Sequence, residues 1–130
     1  MLQTLLVMAG GAIGSALRYH AGRLGLALLG PGWPWGTLFV NITGGFVMGL
    51  FAGWLALRDT GGGEAMRIFF AVGVLGGFTT FSSFSLETML MIERGEMLSA
   101  LGYSLLSVIA SVAALAIGLG IARTALGTSA

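Results

Sequence analysis

Four long apolar stretches, separated by short polar connections, make up almost all of the 130-residue chain. Each has about 20 or more residues, enough for a helix of roughly 30 Å that crosses a bilayer. Barrel strands are much shorter, and only helices or closed barrels satisfy their backbone in lipid. The pattern predicts an all-α membrane protein with one domain, residues 1–130, and four transmembrane helices. The predicted spans are about 2–23, 36–57, 67–92 and 97–122.

The third stretch contains an unusual segment, GGFTTFSSFS, at residues 76–85. Gly76 and Gly77 weaken a helix, and the hydroxyls of Thr79 and Thr80 compete for its backbone groups. We therefore expect the third helix to unwind at the glycine pair, in the middle of the membrane. The freed carbonyls are tolerable there only if they line a cavity or bind an ion. Two carbonyls from each of two chains would offer four oxygens, a plausible sodium site.

Two phenylalanines follow this predicted break. Phe81 and Phe84 are three residues apart, so they share one helix face. Aromatic rings have electropositive edges, which can stabilise an anion without a charge that would trap it. The alternative is that both rings simply pack in a core or face lipid.

Small and polar residues recur at helical spacing on the other stretches. The second stretch has them at every fourth position: Thr37, Asn41, Gly45, Gly49 and Gly53. The first has Gly10, Gly14, Arg18 and Gly22, and the fourth has Ser104, Ser107, Ser111 and Gly118. Glycine stripes are most simply explained by close helix packing. Asn41 requires either a bond between helices or water and a ligand, because an unpaired amide is costly in lipid.

The arginines that flank the spans show no bias to one side. Three fall on the side of the N-terminus and three on the other: Arg58, Arg67 and Arg123 against Arg18, Arg23 and Arg94. Because arginine excess normally sets orientation, equal counts favour insertion both ways and an antiparallel, dual-topology homodimer. The alternative is one orientation set by a single arginine.

Composition excludes several other classes. A net charge of +1 does not favour nucleic acid, and the chain has no cysteine for a disulfide or thiolate metal site. His20 is the only histidine, so no metal cluster or nucleophile–base pair is predicted, and we do not expect an enzyme. The first stretch lacks a basic region before its apolar run, so we interpret it as a retained span.

Three motifs resemble a known family. GGAIGSALRY (Gly10–Tyr19), GTLFVNITGGFVMG (Gly36–Gly49) and GGFTTFSSFSLE (Gly76–Glu87) are similar to the signature blocks of the Fluc (CrcB-type) fluoride channels. The resemblance covers all four stretches and departs mildly at Phe78 and Ser83. It implies a passive, fluoride-selective channel that exports cytoplasmic fluoride across the inner (plasma) membrane. It also implies a dual-topology homodimer with two antiparallel pores.

The same resemblance implies roles for individual residues. Asn41 matches the family's donor to fluoride, Phe81 and Phe84 match its pore rings, and Glu87 matches an acidic residue at the vestibule. The other matching pore residues are Thr37, Ser107, Ser111, Tyr103 and Arg18. The carbonyls of Gly76 and Thr79 match the ligands of a structural Na⁺ at the dimer interface.

One rival function remains, a small proton-coupled multidrug exporter. Such exporters are also four-helix, dual-topology dimers, and Glu87 is an intramembrane carboxylate of the kind that they use. They need that carboxylate in the first span, where this chain has none. Fluoride conduction needs only neutral donors in a narrow lane to replace the ion's water.

Overall fold

The computed structural model describes residues 1–56 and 63–127. The helices are α1 (Leu2–Leu29), α2 (Trp35–Ala56), α3 (Gly63–Met66), a π-helix (Arg67–Leu75), α4 (Gly76–Phe78), α5 (Ser82–Glu93) and α6 (Met97–Gly127). No strand occurs within these two described ranges. The prediction of an all-α fold is confirmed.

Three helical segments are long and apolar enough to cross a membrane: Trp35–Ala56, Gly63–Glu93 and Met97–Ala125. The first helix has 28 residues but is not among these three, and its second half carries Arg18, His20 and Arg23. A fourth span therefore stays a prediction. Residues 57–62, which include Arg58 and much of the predicted loop at 58–66, lie outside the described residues.

The helices pack in two main pairs, in which glycines allow close approach. α6 packs along α2, and α1 packs against the π-helix and α4. A Cβ atom on Gly49 would collide with the carbonyl oxygen of Leu115 on α6. A Cβ atom on Gly14 would likewise collide with the carbonyl oxygen of Val74 in the π-helix. These contacts confirm the packing interpretation of the glycine stripes at Gly14 and Gly49.

The third segment is broken, as predicted, but not at the glycine pair. The helix runs through Gly76 and Gly77 to Phe78, and α5 begins only at Ser82. Thr79 is extended, with φ −84° and ψ 160°. The predicted position of the break, at Gly76–Gly77, was therefore wrong by about three residues. Gly77 serves helix packing instead, because a Cβ there would lie 2.7 Å from the carbonyl oxygen of Gly11.

A small apolar core lies beside the break. It consists of Leu38, Met91, Ala100 and Tyr103, with Trp33, Ile42 and Phe84 packed against it. Many large apolar side chains point outward, such as Leu98, which is 85% exposed. Such an outer surface suits lipid or a second protein chain, and it would be costly in water.

Candidate functional site

The break, α2 and α6 together border an open cavity of about 400 Å³. Its polar lining consists of Asn41, Thr79, Thr80, Ser107 and Ser111. The rings of Phe81 and Phe84 also line it, beside Gly44, Gly45, Met48 and three aliphatic residues further along α6. The cavity therefore brings together five of the predicted pore residues, namely Asn41, Phe81, Phe84, Ser107 and Ser111.

Asn41 holds the backbone of the break by two hydrogen bonds to one residue. Its Nδ2 donates to the carbonyl oxygen of Thr80 at 3.0 Å, and its Oδ1 accepts from the amide of Thr80 at 2.8 Å. A backbone N–H can only donate, so the pairing fixes which way the Asn41 amide points. The second hydrogen on Nδ2 is still available as a donor. The two possibilities for Asn41, a structural bond and a ligand contact, are thus compatible.

Two serines on α6 line the same cavity. The Oγ atoms of Ser107 and Ser111 are buried and have no hydrogen-bond partner within the described part of the chain. The two residues are one helical turn apart, so the hydroxyls are neighbours along α6. A buried polar group without a partner costs free energy. These hydroxyls are therefore suited to a bound ion or water.

Aromatic rings form a row from the cavity inward. Phe81 and Phe84 have centroids 5.5 Å apart, and Phe84 lies 5.2 Å from Tyr103. Tyr103 in turn makes an edge contact with Trp33 at 5.6 Å. Tyr103 is fully buried, whereas Phe81 is 76% exposed in the single chain. The row thus leads from an open surface into the core.

Glu87 accepts a hydrogen bond on each carboxylate oxygen. Thr37 donates to Oε2 at 2.9 Å, and the Tyr103 hydroxyl donates to Oε1 at 3.0 Å. Thr37 and Glu87 line a second cavity of about 290 Å³ with Trp33, Trp35 and Arg94. Tyr103 also contacts the ring of Phe84, which lines the first cavity. The hydrogen-bonded group of Thr37, Glu87 and Tyr103 is therefore linked to that cavity by one ring contact.

Arg18 lies apart from these residues. Its Nε donates to the carbonyl oxygen of Gly77 at 3.1 Å, which ties α1 to the break. It lines a third cavity of about 300 Å³ with Arg23, Thr80 and Ser83, not the cavity that holds the two phenylalanines. A pore role for Arg18 stays a prediction.

The break changes the partners of two backbone amides. In a continuous helix the amides of Thr80 and Ser83 would donate to the carbonyls of Gly76 and Thr79. Here the Thr80 amide donates to Asn41, and the Ser83 amide donates to the Thr80 hydroxyl at 3.2 Å. The carbonyls of Gly76 and Thr79 are thereby freed. Neutral carbonyl oxygens are ligands that alkali cations accept, so this donor set fits Na⁺. The described residues contain no cluster of three or more ionisable metal ligands.

Sequence reasoning missed three features of this site. Thr80 is the backbone partner of Asn41, and Trp33 supports Tyr103. Met48 lines the first cavity one turn beyond Gly44. For Thr80 there was a sequence signal, because two threonines at a predicted break are able to form side-chain bonds to the backbone. No sequence signal indicated Trp33 or Met48.

Comparison with known proteins gives a consistent result. The family model described as "CrcB-like protein, Camphor Resistance (CrcB)" matches residues 5–119. A protein of Caulobacter sp. (strain K31) is 56% identical over 123 residues, covering 95% of this chain and 96% of its own length. One of Hyphomonas neptunium is 56% identical over 119 residues, covering 92% and 94%. A third, of Novosphingobium aromaticivorans, is 52% identical over 125 residues, covering 95% and 98%. Each of the three is named "Fluoride-specific ion channel FluC".

Proposed function

The chain belongs to the CrcB-like protein family, and on that premise we propose that it is a passive channel selective for fluoride. Relatives more than half identical to it over almost their whole length are named fluoride-specific ion channels. Under the inside-negative membrane potential, a passive anion pathway lets fluoride leave the cytoplasm. Neither a nucleotide nor a proton gradient is needed.

The observation that carries the proposal is the lining of the first cavity. It brings together neutral polar residues and two phenyl rings, and none of its residues carries a charge. Fluoride holds its water tightly, so a pore must replace that water with hydrogen-bond donors. The spare Nδ2 hydrogen of Asn41 and the unpartnered hydroxyls of Ser107 and Ser111 are such donors. A full positive charge at this point would hold the ion too strongly for rapid exit.

The functional unit in this proposal is an antiparallel homodimer in the inner membrane, with two pores. The equal arginine counts on the two sides of the spans support insertion in both orientations. Phe81 supports a second chain as well, because a ring that is 76% exposed needs a neighbour to form one wall of a narrow lane.

A sodium ion at the dimer interface completes the proposal. The carbonyls of Gly76 and Thr79 from each copy would hold it, and these are the two carbonyls whose helical donors bond elsewhere. The ion would join the two copies and place a fixed positive charge between the pores.

The rival exporter gains no support. Both oxygens of Glu87 already accept hydrogen bonds from Thr37 and Tyr103. The relatives described above are named as fluoride channels.

The direct test is fluoride efflux from liposomes that contain the purified protein. A fluoride electrode follows release after valinomycin clamps the voltage, without a pH gradient, and chloride serves as the paired control. We expect rapid fluoride release with chloride retained. If dimeric protein released no fluoride until a proton gradient was imposed, the channel proposal would be wrong and Glu87 would become the centre of a coupled mechanism.

The orientation is tested separately with a reporter at the C-terminus that gives a signal on only one side of the membrane. Fusions to paired reporters, one active on each side, should both give signal. Signal from one side alone would contradict dual topology but leave fluoride conduction untouched.

A further inference from the structure

We propose that Asn41 is a positioning residue for the cation site, which keeps the helix break open so that the Gly76 carbonyl is free to bind Na⁺. This inference rests on the proposed function, because it concerns the sodium ion suggested there. It gives Asn41 a second task beyond donating to fluoride.

The argument starts from the choice of partner open to the Thr80 amide. That N–H has two acceptors within chemical reach, the Gly76 carbonyl four residues earlier in a continuous helix and the Asn41 side chain in the observed fold. The structure has it 2.8 Å from Asn41 Oδ1. Because Thr79 is extended, the Thr80 amide is turned away from the helix that ends at Phe78. Asn41 thus compensates the helical hydrogen bond that the break removes.

The return bond strengthens the same geometry. Asn41 Nδ2 donates to the Thr80 carbonyl at 3.0 Å, so the side-chain amide pairs with both backbone groups of one residue. Both bonds are part-buried, so the loss of either would leave a polar group with few other partners. Re-forming the helix through Thr80 would break both at once. Removing the Asn41 amide should therefore favour closure of the break.

A second feature of α2 supports this positioning role. Gly44 lies one turn beyond Asn41, and a Cβ atom there would collide with the Cγ2 methyl of Thr79. The hydroxyl of Thr79 meanwhile donates to the Leu75 carbonyl at 2.9 Å. One face of α2 therefore fits two residues of the break, with a hydrogen-bonding amide for Thr80 and an open space for Thr79.

The consequence is a link between the anion lane and the cation site. The side chain of Asn41 offers a donor to the first cavity. It also determines whether the Gly76 carbonyl accepts a hydrogen bond from the Thr80 amide or stays free. The chemistry predicts that the acceptor oxygen of residue 41 serves the cation site and that its spare N–H serves the anion.

A matched pair of variants separates the two tasks. Asn41→Asp in its protonated form keeps an acceptor for the Thr80 amide and a donor to the Thr80 carbonyl but loses the second N–H, whereas Asn41→Leu has similar size and can make neither bond. Ser111→Ala is the control, since it removes a hydroxyl from the same cavity without touching the break. Asn41→Ala replaces Asn41→Leu if the larger apolar side chain prevents folding.

The readout is thermal unfolding of purified protein followed by tryptophan fluorescence, in sodium chloride and in N-methylglucamine chloride of equal concentration. A ligand that binds only the native state raises the unfolding temperature. We expect sodium to stabilise the unaltered protein, Ser111→Ala and Asn41→Asp by several degrees, and to leave Asn41→Leu unchanged. Fluoride efflux should fall in all three variants, by about tenfold or more for the two at position 41.

Each other outcome overturns the inference. A sodium shift in Asn41→Leu as large as in Asn41→Asp would show that the break stays open without the acceptor. An absent sodium shift in the unaltered protein would remove the cation site itself. In that case normal fluoride efflux from the same preparation would leave the channel proposal standing, so the two failures are distinguishable.

Discussion

The helices α2 and α6 meet along two stretches that differ in what fills the space between them. Around Gly49 the backbones touch, since a Cβ atom there would collide with the Leu115 carbonyl and would lie 2.8 Å from the Leu119 amide nitrogen. Around Asn41 the same two helices border a cavity of about 400 Å³ together with the break. Both stretches belong to one four-residue stripe on α2.

The difference comes from the third segment. Where it is broken, Thr79 to Phe81 line the cavity beside α2, and Asn41 bonds to Thr80 instead of to α6. The hydroxyls of Ser107 and Ser111 on α6 are consequently left without partners in the described structure. The close contact around Gly49, the seam, therefore stabilises the helix pair, and the polar stretch around Asn41, called the wet stretch, borders space that an ion could occupy.

The largest effect is expected from filling the seam. Gly49→Ala would place a methyl group against a backbone carbonyl that cannot move alone, so α2 and α6 must separate. Overpacking of this kind costs about 1–3 kcal/mol. We expect a lower unfolding temperature, measured by tryptophan fluorescence, and a loss of monodisperse protein on size exclusion.

Gly102→Ala is the matched control for the seam. A Cβ atom on Gly102 meets nothing within 4 Å, and alanine favours a helix over glycine by about 1 kcal/mol. Its unfolding temperature should be unchanged or higher. Equal losses of stability in the two variants would mean that the backbone contact at Gly49 is not what distinguishes the seam.

The next effect concerns the rings of the wet stretch. Phe84→Ile and Phe81→Ile remove two rings that line the cavity but keep apolar bulk, so the protein should remain folded. We expect fluoride efflux to fall by about tenfold or more in each, equivalent to about 1.4 kcal/mol in the barrier. Phe39→Ile is the control, because Phe39 is 58% exposed and lines none of the cavities described above. Full efflux from both pore variants would refute the ring-edge argument.

A smaller effect is expected where the ring row meets Glu87. Tyr103→Phe keeps the ring contact with Phe84 but removes the 3.0 Å hydrogen bond to Glu87 Oε1. Since Thr37 still holds the other oxygen, efflux should fall by only about two- to fivefold. Thr37→Val removes the opposite bond and should act to a similar extent. Abolished efflux in Tyr103→Phe would give the phenol a direct part in conduction.

Local sequence signals predicted a good part of this architecture. Apolar length predicted helices, and small residues at four-residue spacing predicted the close contacts at Gly14 and Gly49. The break was predicted too, because two glycines followed by two threonines disfavour a helix. Its position was wrong, since Gly77 is required by the approach of α1, a tertiary contact that no local pattern contains.

The π-helix Arg67–Leu75 was also not predicted. Its residues, RIFFAVGVL, read as an ordinary apolar helix, and π-helices are rare enough that none is expected from such a run. The pairing of Asn41 with Thr80 crosses 39 residues of sequence. The need for a partner was evident from the cost of a buried amide, but the identity of the partner depends on how α2 lies against the break.

The smallest expected effect tests whether a residue of the wet stretch lowers the stability of the protein while it promotes conduction. Ser107 is buried and its hydroxyl has no partner in the described part of the chain. Replacing such a hydroxyl with hydrogen removes an unsatisfied group that costs about 1–3 kcal/mol. Ser107→Ala should therefore unfold at the same or a slightly higher temperature while its fluoride efflux falls by about two- to threefold. Ser104→Ala, one turn toward the start of α6, is the control. A clear loss of stability in Ser107→Ala would show that the hydroxyl makes a structural hydrogen bond, and the cavity would then not cost stability at this residue.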